Sequence, residues 1–495
     1  MEEQIVPSRL DRLEQIYQEQ LTQVFSAESV VPDTLPDVAS ILFSDAQVCI
    51  RSGSPSEGSA VLEGTIYGTV VYLPEGSGAP QRLNITLPLT MTARSDRIED
   101  ACRLVFSADP VGAEARALNT RKISFRVEVS ATVRVCKPGS IDLTADIGDL
   151  VSLESLPGEA DFGFIRDIGE KAFTVADDVD LSTPIEQILW YQTNLFAENT
   201  KKLGGRLILQ GGVELQLMYL PPDSDEPCFE RFRIPFSQLM DSIDEEATIS
   251  VVELRTVSSF VEILPGLNKS ESVSIELQLS AQILYVCEQK LSYISDAYSL
   301  RCPILTVCDT LDAAAPYSMT AEKASVSELI KLPEPVREII SVWVRMTPCV
   351  MSDEGVKTTA CVCILYRTET ALRSVTKKLP VTFDGKRAGT DCLYSKAVCY
   401  ENYISMQGDV IELRLDVELS SMCAKKQQIK YVSKMESDAS AVLTDIYYPS
   451  VVAVRVGERS IWELAKTYHS TVALIEASNA GSEESDSLLL IPRGR

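Results

Sequence analysis

Three segments of this chain carry the same features in the same order at a nearly constant pitch. That repeat limits the fold more than any other property. In the first, Leu35-Pro36-Asp37-Val38 leads to Ile41-Leu42, then to Gly64 through Leu73, then to Leu87-Pro88-Leu89, and it closes on the run Ile123 to Val135. In the second, Pro184-Ile185 leads to Ile188-Leu189, then Gly212 through Leu220, then Ile234-Pro235-Phe236, closing on Val273 to Val286. In the third, Pro335-Val336 leads to Ile339-Ile340, then Ala360 through Arg367, then Leu379-Pro380-Val381, closing on Val410 to Leu419. The shared tyrosines stand at 72, 219 and 366, each 147 residues after the last, and the shared prolines at 88, 235 and 380, intervals of 147 and 145. At roughly 150 residues per domain, a chain of 495 residues also divides into about three.

Each segment reads as antiparallel β. Val127, Val129, Ala131, Val133 and Val135 alternate with Arg126, Glu128, Ser130, Thr132 and Arg134, which predicts one strand face in a core and the other in water. The Gly-, Pro- and Ser-rich stretches at 74–80 and 221–225 have hairpin-loop composition. A proline inside each Leu/Ile-Pro strand predicts an edge position or a strand start. The fold class expected is mostly β: three repeated antiparallel domains, each a sandwich or partly open barrel, plus a small C-terminal βααβ module.

The resulting division has an N-terminal segment at 1–32, β domains at 33–138, 182–287 and 333–430, acidic connectors at 139–181 and 288–332, a linker at 431–449, and the module at 450–495. In the N-terminal segment, Leu10, Leu13 and Ile16 have helical spacing and predict a short docking helix. The acidic connectors read as solvated spacers that add a strand or turn to the preceding domain.

Composition removes several function classes. With 46 Lys and Arg against 71 Asp and Glu, the net charge is −25, which repels a phosphate backbone and argues against nucleic-acid binding. A single histidine, His469, excludes a multi-His metal site. It follows Tyr468 at the predicted end of a helix, where it reads as an exposed C-cap side chain. No P-loop string and no ordered triad is present, so we expect no enzyme activity, no cofactor and no metal. The first residues lack the positive start and apolar stretch of a secretory signal, and no apolar run approaches bilayer length. A cytoplasmic chain with reduced thiols is expected. Cys49, Cys136, Cys287 and Cys423 read as small buried hydrophobes, and Cys361 and Cys363, which share a strand face, as core packing rather than a redox or metal pair. Trp190 and Trp343 read as packing residues at strand starts.

The last stretch changes character. After the β-type run Val451 to Val456, Ser460 is a candidate N-cap with Glu463 three residues on, and Ile461, Leu464, Ala465 and Tyr468 lie at helical spacing. A second helix runs to Asn479, and Leu488 to Pro492 forms a closing strand.

This module resembles a LysM domain. Ser460, Ile461, Trp462, Leu464, Ala465, Tyr468, Asn479, Leu489, Ile491 and Pro492 fall on the family pattern, with Trp462, Leu464, Ala465, Tyr468, Ile491 and Pro492 as its core. The family's Gly-Asp is Glu458-Arg459 here, with Gly457 displaced by one, and its late glycine is Asp486. The resemblance makes Glu458, Arg459, Ser460, Ile461, Asn479 and Asp486 the candidate partner- or glycan-binding residues. It supports the fold more than sugar binding, because loop residues flanking the family's N-acetylglucosamine groove are lost.

Repeated β blocks with an apolar-Pro-apolar strand and one terminal LysM module resemble the SPOCS-domain, SipL-type spore morphogenetic proteins of spore-forming Firmicutes. The resemblance implies a mother-cell scaffold at the forespore surface. It would bind the filament-forming ATPase of the coat's basement layer, or other coat proteins, through the terminal module and the β domains. The alternative is a protein that binds peptidoglycan or cortex glycan through that module.

Overall fold

The computed structural model describes residues 5–76, 78–147, 153–203, 205–240, 249–265, 270–301, 304–437, 449–455, 459–480 and 488–493. The first repeat is built from β1 (Ile5–Val30), β2 (Val38–Ser56), β3 (Ser59–Pro74), β4 (Gln81–Arg94), β5 (Arg103–Asn119) and β6 (Lys122–Ile147). The second uses β7 (Leu153–Ile185), β8 (Gln187–Leu203), β9 (Arg206–Leu220), β10 (Cys228–Met240), β11 (Ile249–Ile263) and β12 (Ser270–Ser299). The third uses β13 (Ile304–Ala314), β14 (Ser318–Lys331), β15 (Glu338–Met346), β16 (Val350–Ser352), β17 (Gly355–Arg367), β18 (Leu372–Asp384), β19 (Thr390–Gln407) and β20 (Val410–Ser437). The chain then runs through β21 (Val451–Arg455), α1 (Ile461–Tyr468), α2 (Val472–Ser478) and β22 (Leu488–Pro492).

Each unit is a two-layer antiparallel sandwich. One layer is a meander, β2-β3-β4, β8-β9-β10 or β15-β17-β18. The other is β1-β6-β5, β7-β12-β11 or β14-β20-β19. Burial between the layers drives assembly: Val127, Val129, Ala131, Val133 and Val135 of β6 lose all contact with water, as do Leu413, Leu415, Val417 and Leu419 of β20. Pro88, Pro235 and Pro380 lie in β4, β10 and β18, which pair on one side only, with β3, β9 and β17, so the missing N–H costs no ladder bond. Tyr72, Tyr219 and Tyr366 are buried in the central meander strands.

The predicted N-terminal helix is a strand. β1 pairs with β6 along its whole length, with a bulge between Gln15 and Tyr17. Leu10 and Leu13 are both buried but on opposite faces, Leu10 in the core of the second unit and Leu13 in a junction of all three. A strand buried on both faces gives apolar residues three apart without a helix.

The acidic connectors are strands as well. In β7, Phe162, Val175, Val179 and Leu181 are buried while Glu159, Asp161, Asp177, Asp178 and Asp180 stay exposed. Asp178 and Asp180 lie on the wet face of a ladder, opposite Val175, Val179 and Leu181, and the segment is no spacer. Residues 288–299 complete β12, and β13 and β14 occupy most of 304–331.

These strands build three two-stranded arms: the start of β1 on the end of β6, the start of β7 on the end of β12, and β13 on the end of β20. The pairs Leu13–Ile165 and Gly163–Ala314 link the arms into one ten-stranded sheet. Thr144 donates to the Val432 carbonyl at 2.6 Å, a further tie between arms.

Candidate functional site: the C-terminal module and the axial cavity

The C-terminal module forms around Leu464, Ala465, Ile475 and Ile491, all buried. Ser460 closes a capping box on α1: its hydroxyl accepts from the Glu463 N–H at 3.2 Å, and the Glu463 carboxylate accepts from the Ser460 N–H at 2.8 Å. Thr471 caps α2 by accepting from the Leu474 N–H at 3.1 Å. His469 is the C-cap of α1 in the left-handed conformation, φ 51°, and half-buried rather than exposed, with Nδ1 lacking a partner. β21 and β22 pair from Val451–Pro492 to Arg455–Leu488.

The candidate binding residues do not converge on one groove. Asn479 donates to the carbonyls of Ile475 (2.6 Å) and Leu490 (2.8 Å) and accepts from the Leu490 N–H (2.9 Å), so its side chain fastens α2 to β22. Ser460 is engaged in capping, Ile461 packs on the module core, and Arg459 is exposed. Glu458, Asp486 and Gly457 lie outside the described residues.

The module is docked on the end of β12. Trp462 Nε1 donates to Asp296 Oδ2 at 2.9 Å, and Lys466 Nζ donates to both Asp296 oxygens at 2.6 and 2.8 Å. Tyr298 donates to the Ser470 carbonyl at 2.7 Å and meets the Trp462 ring edge-on, centroids 4.9 Å apart. Burial alone would raise the Asp296 pKa, but the hydrogen bonds from Lys466 and Trp462 and the lysine charge outweigh it and hold the carboxyl below its ordinary value. Docking leaves one face of the β21–β22 ribbon open. Val451, Leu488 and Leu490 on that face are 50, 59 and 45% exposed.

The second candidate lies where the three units meet. Phe43, Trp190 and Trp343, from corresponding strands β2, β8 and β15, form an aromatic plug: Phe43–Trp343 at 4.9 Å, Trp190–Trp343 at 4.7 Å and Phe43–Trp190 at 6.2 Å. Beyond it, Leu13, Val105, Leu284, Leu393 and Met422 form another apolar junction drawn from all three units. Between them is a cavity of about 1050 Å³.

Two polar tiers line that cavity. Asp45, Gln192 and Arg345 lie two residues beyond the plug aromatics in their strands. Asp45 accepts from Trp190 Nε1 at 2.8 Å and from Arg345 at 2.5 and 3.2 Å. The second tier, Asp109, Glu253 and Lys396, comes one each from β5, β11 and β19. Asp109 is exposed to the cavity and Glu253 half-buried; desolvation inside the junction raises the pKa of both carboxyls, Lys396 opposes that shift in each, and Asp109 adds to it at Glu253. Arg134, predicted to face water, is buried here because the outer face of β6 abuts the third unit: it donates to the Leu393 and Cys392 carbonyls. The tiers were invisible in sequence because corresponding positions of the repeats do not share one charge (Asp45, Gln192 and Arg345; Asp109 and Glu253 against Lys396), although the near-even spacing of 109, 253 and 396 was present to be read.

Among the described residues, no group of three or more His, Cys, Asp or Glu is placed to hold a metal ion, and no helix is long and apolar enough to cross a membrane. Cys363 packs in the plug junction, its thiol pushed up to about 12 by burial, and Cys361 donates to the Val111 carbonyl at 3.0 Å.

No curated protein matches the chain, and no solved structure does. Residues 184–257, which span the second unit's meander and the first part of β11, match the family described as SipL, SPOCS domain.

Proposed function

We propose that the protein is a non-enzymatic scaffold of spore-envelope assembly that holds a coat morphogenetic protein at the forespore surface, with the C-terminal module as its main docking element and the three β units, all SPOCS-like, as its body. The SPOCS match in the second unit and the same strand order in the other two support the assignment to sporulation. The observation that carries the docking role is the open apolar ribbon face of Val451, Leu488 and Leu490, held outward because Trp462, Lys466 and Tyr298 fasten the opposite side to β12. A filament-forming ATPase of the coat's basement layer is the partner this reading favours.

Affinity capture from sporulating cells tests it. The full chain retains a coat protein and localises to the forespore; Leu488→Asp with Leu490→Asp loses both while the β body remains folded. Unchanged capture and localisation by the double variant overturn the reading. Retention of the wild-type chain, but not the variant, on purified peptidoglycan in the absence of coat proteins favours the glycan-binding alternative.

A further inference from the structure

Cys423 departs from the other three cysteines expected to be buried. Cys49, Cys136 and Cys287 are buried, whereas Cys423 is half-exposed. It faces Cys392 directly across the β19–β20 ladder, at a point where a bulge follows Cys392. Directly opposed residues in an antiparallel pair carry Cβ atoms about 4.5–5.5 Å apart, and a disulfide needs about 3.5–4.5 Å, so a small approach joins them. The Cys392 thiol donates to the Tyr394 carbonyl at 3.1 Å, and its sulfur is close enough to Cys423 for the two titrations to be linked.

The surroundings make the pair asymmetric. The neighbouring Cys392 sulfur lowers the Cys423 pKa most; burial opposes it, Arg387 assists, and Asp391 and Glu322 oppose, for a result of about 7. Arg387 is itself paired with Glu322, and Asp391 accepts from Tyr317. The neighbouring Cys423 sulfur, followed by burial, raises Cys392, against a lowering by the hydrogen bond to the Tyr394 carbonyl and then by Arg134. One sulfur is thus a ready nucleophile and its neighbour holds the proton.

We propose that Cys392 and Cys423 are an oxidisable dithiol that a hydroperoxide converts into an intrachain disulfide between β19 and β20. The Cys423 thiolate attacks one peroxide oxygen, the O–O bond breaks, and hydroxide leaves and takes up a proton as water. The Cys392 sulfur then attacks the resulting sulfenic sulfur; the S–O bond breaks, and hydroxide leaves as water with the Cys392 proton. Two thiols and one hydrogen peroxide give one disulfide and two waters. The product ties β19 to β20 at one end of the third sandwich, and dithiothreitol reverses it.

The test uses the full reduced chain. It is treated with one equivalent of hydrogen peroxide, alkylated with N-ethylmaleimide, digested and read by mass spectrometry. The linked Cys392–Cys423 peptide is the dominant product. In Cys392→Ser, dimedone traps a sulfenic acid at Cys423; in Cys423→Ser, Cys392 stays reduced. Before oxidation, Cys423 alkylates at pH 7 on the order of tenfold faster than the half-buried Cys228 and Cys308. Wild-type Cys392 and Cys423 that remain as alkylatable after peroxide as Cys228 and Cys308, or disulfides scattered over several pairs, overturn the proposal.

Discussion

Lys466 and Asp296, 170 residues apart, are joined by two hydrogen bonds of 2.6 and 2.8 Å, and Trp462 adds a third to the same carboxylate. The C-terminal module is thereby part of the body, and its orientation depends on one acidic side chain at the end of β12. Replacing Asp296 by Asn keeps one acceptor and removes the charge. With Lys466 partly exposed, the loss in docking is about 1–2 kcal/mol. Hydrogen exchange in α1 should accelerate while exchange in β9 and β20 stays slow; uniform protection across both would show that the contact carries no docking energy.

The same carboxylate sets a pH dependence. Its folded pKa is depressed, so its contribution is fully present above the unfolded value of about 4 and is lost as pH falls through the folded value. Proteolytic release of the module should be flat from neutral pH down to about 4 and increase below it. In Asp296→Asn that acid-dependent increase should be smaller.

The aromatic plug should couple the three units. Trp190 is fully buried against Phe43 and Trp343 and donates to Asp45. Trp190→Ala removes the ring and leaves Asp45 with Arg345 alone, a loss of about 3–5 kcal/mol. Trp190→Phe keeps an aromatic ring but loses the indole N–H and part of the ring volume, a smaller loss of about 1–3 kcal/mol. Calorimetry of Trp190→Ala should split one unfolding transition into several, because its ring belongs to the junction and not to one sandwich; a single shifted transition would place the coupling elsewhere.

The β units were legible because burial inside a sandwich writes a two-residue period, and Pro88, Pro235 and Pro380 marked the edge strands through a missing N–H. What lies between units was not. Leu10 and Leu13 face different neighbours, so their spacing imitates a helix. Arg134 has the polar alternation of a wet face and is buried only because the third unit covers it. In the module, Ser460 and Glu463 revealed the capped helix from local chemistry, but nothing local to Trp462 announces a partner 166 residues away. Asn479, read as a binding residue through its family pattern, is spent on β22 backbone.

Close backbone approach makes two glycines of the repeat sensitive. A Cβ at Gly64 would collide with the Cys49 carbonyl oxygen, and one at Gly211, 147 residues later, with that of Phe196. In the third unit the corresponding position, 147 residues further on, is Thr358, whose hydroxyl donates to the Thr347 carbonyl at 2.7 Å. Gly64→Ala and Gly211→Ala should each lower stability by roughly 1–3 kcal/mol in denaturant titrations. Thr358→Ala should lose only about 1 kcal/mol, the value of one hydrogen bond. Equal effects at all three positions would mean that the bulge opposite each glycine relaxes freely.

The axial tier of Asp109, Glu253 and Lys396 reverses the sign seen at Asp296. Desolvation inside the junction raises both carboxyl pKa values, so each group destabilises the folded state when ionised, and stability rises as pH falls through the folded values toward the unfolded ones near 4. Asp109→Asn or Glu253→Gln, which removes the ionisation, should therefore raise the melting temperature at neutral pH, and Glu253→Gln by more, because Glu253 is half-buried while Asp109 is exposed to the cavity. Lys396→Met should do the opposite, because it strips both carboxylates of the cation that offsets their desolvation. Combining Asp109→Asn with Lys396→Met separates the pairwise coupling from simple desolvation: the double variant should recover part of the Lys396→Met loss, and strict additivity of the two single changes would show that the charges across the axis do not interact.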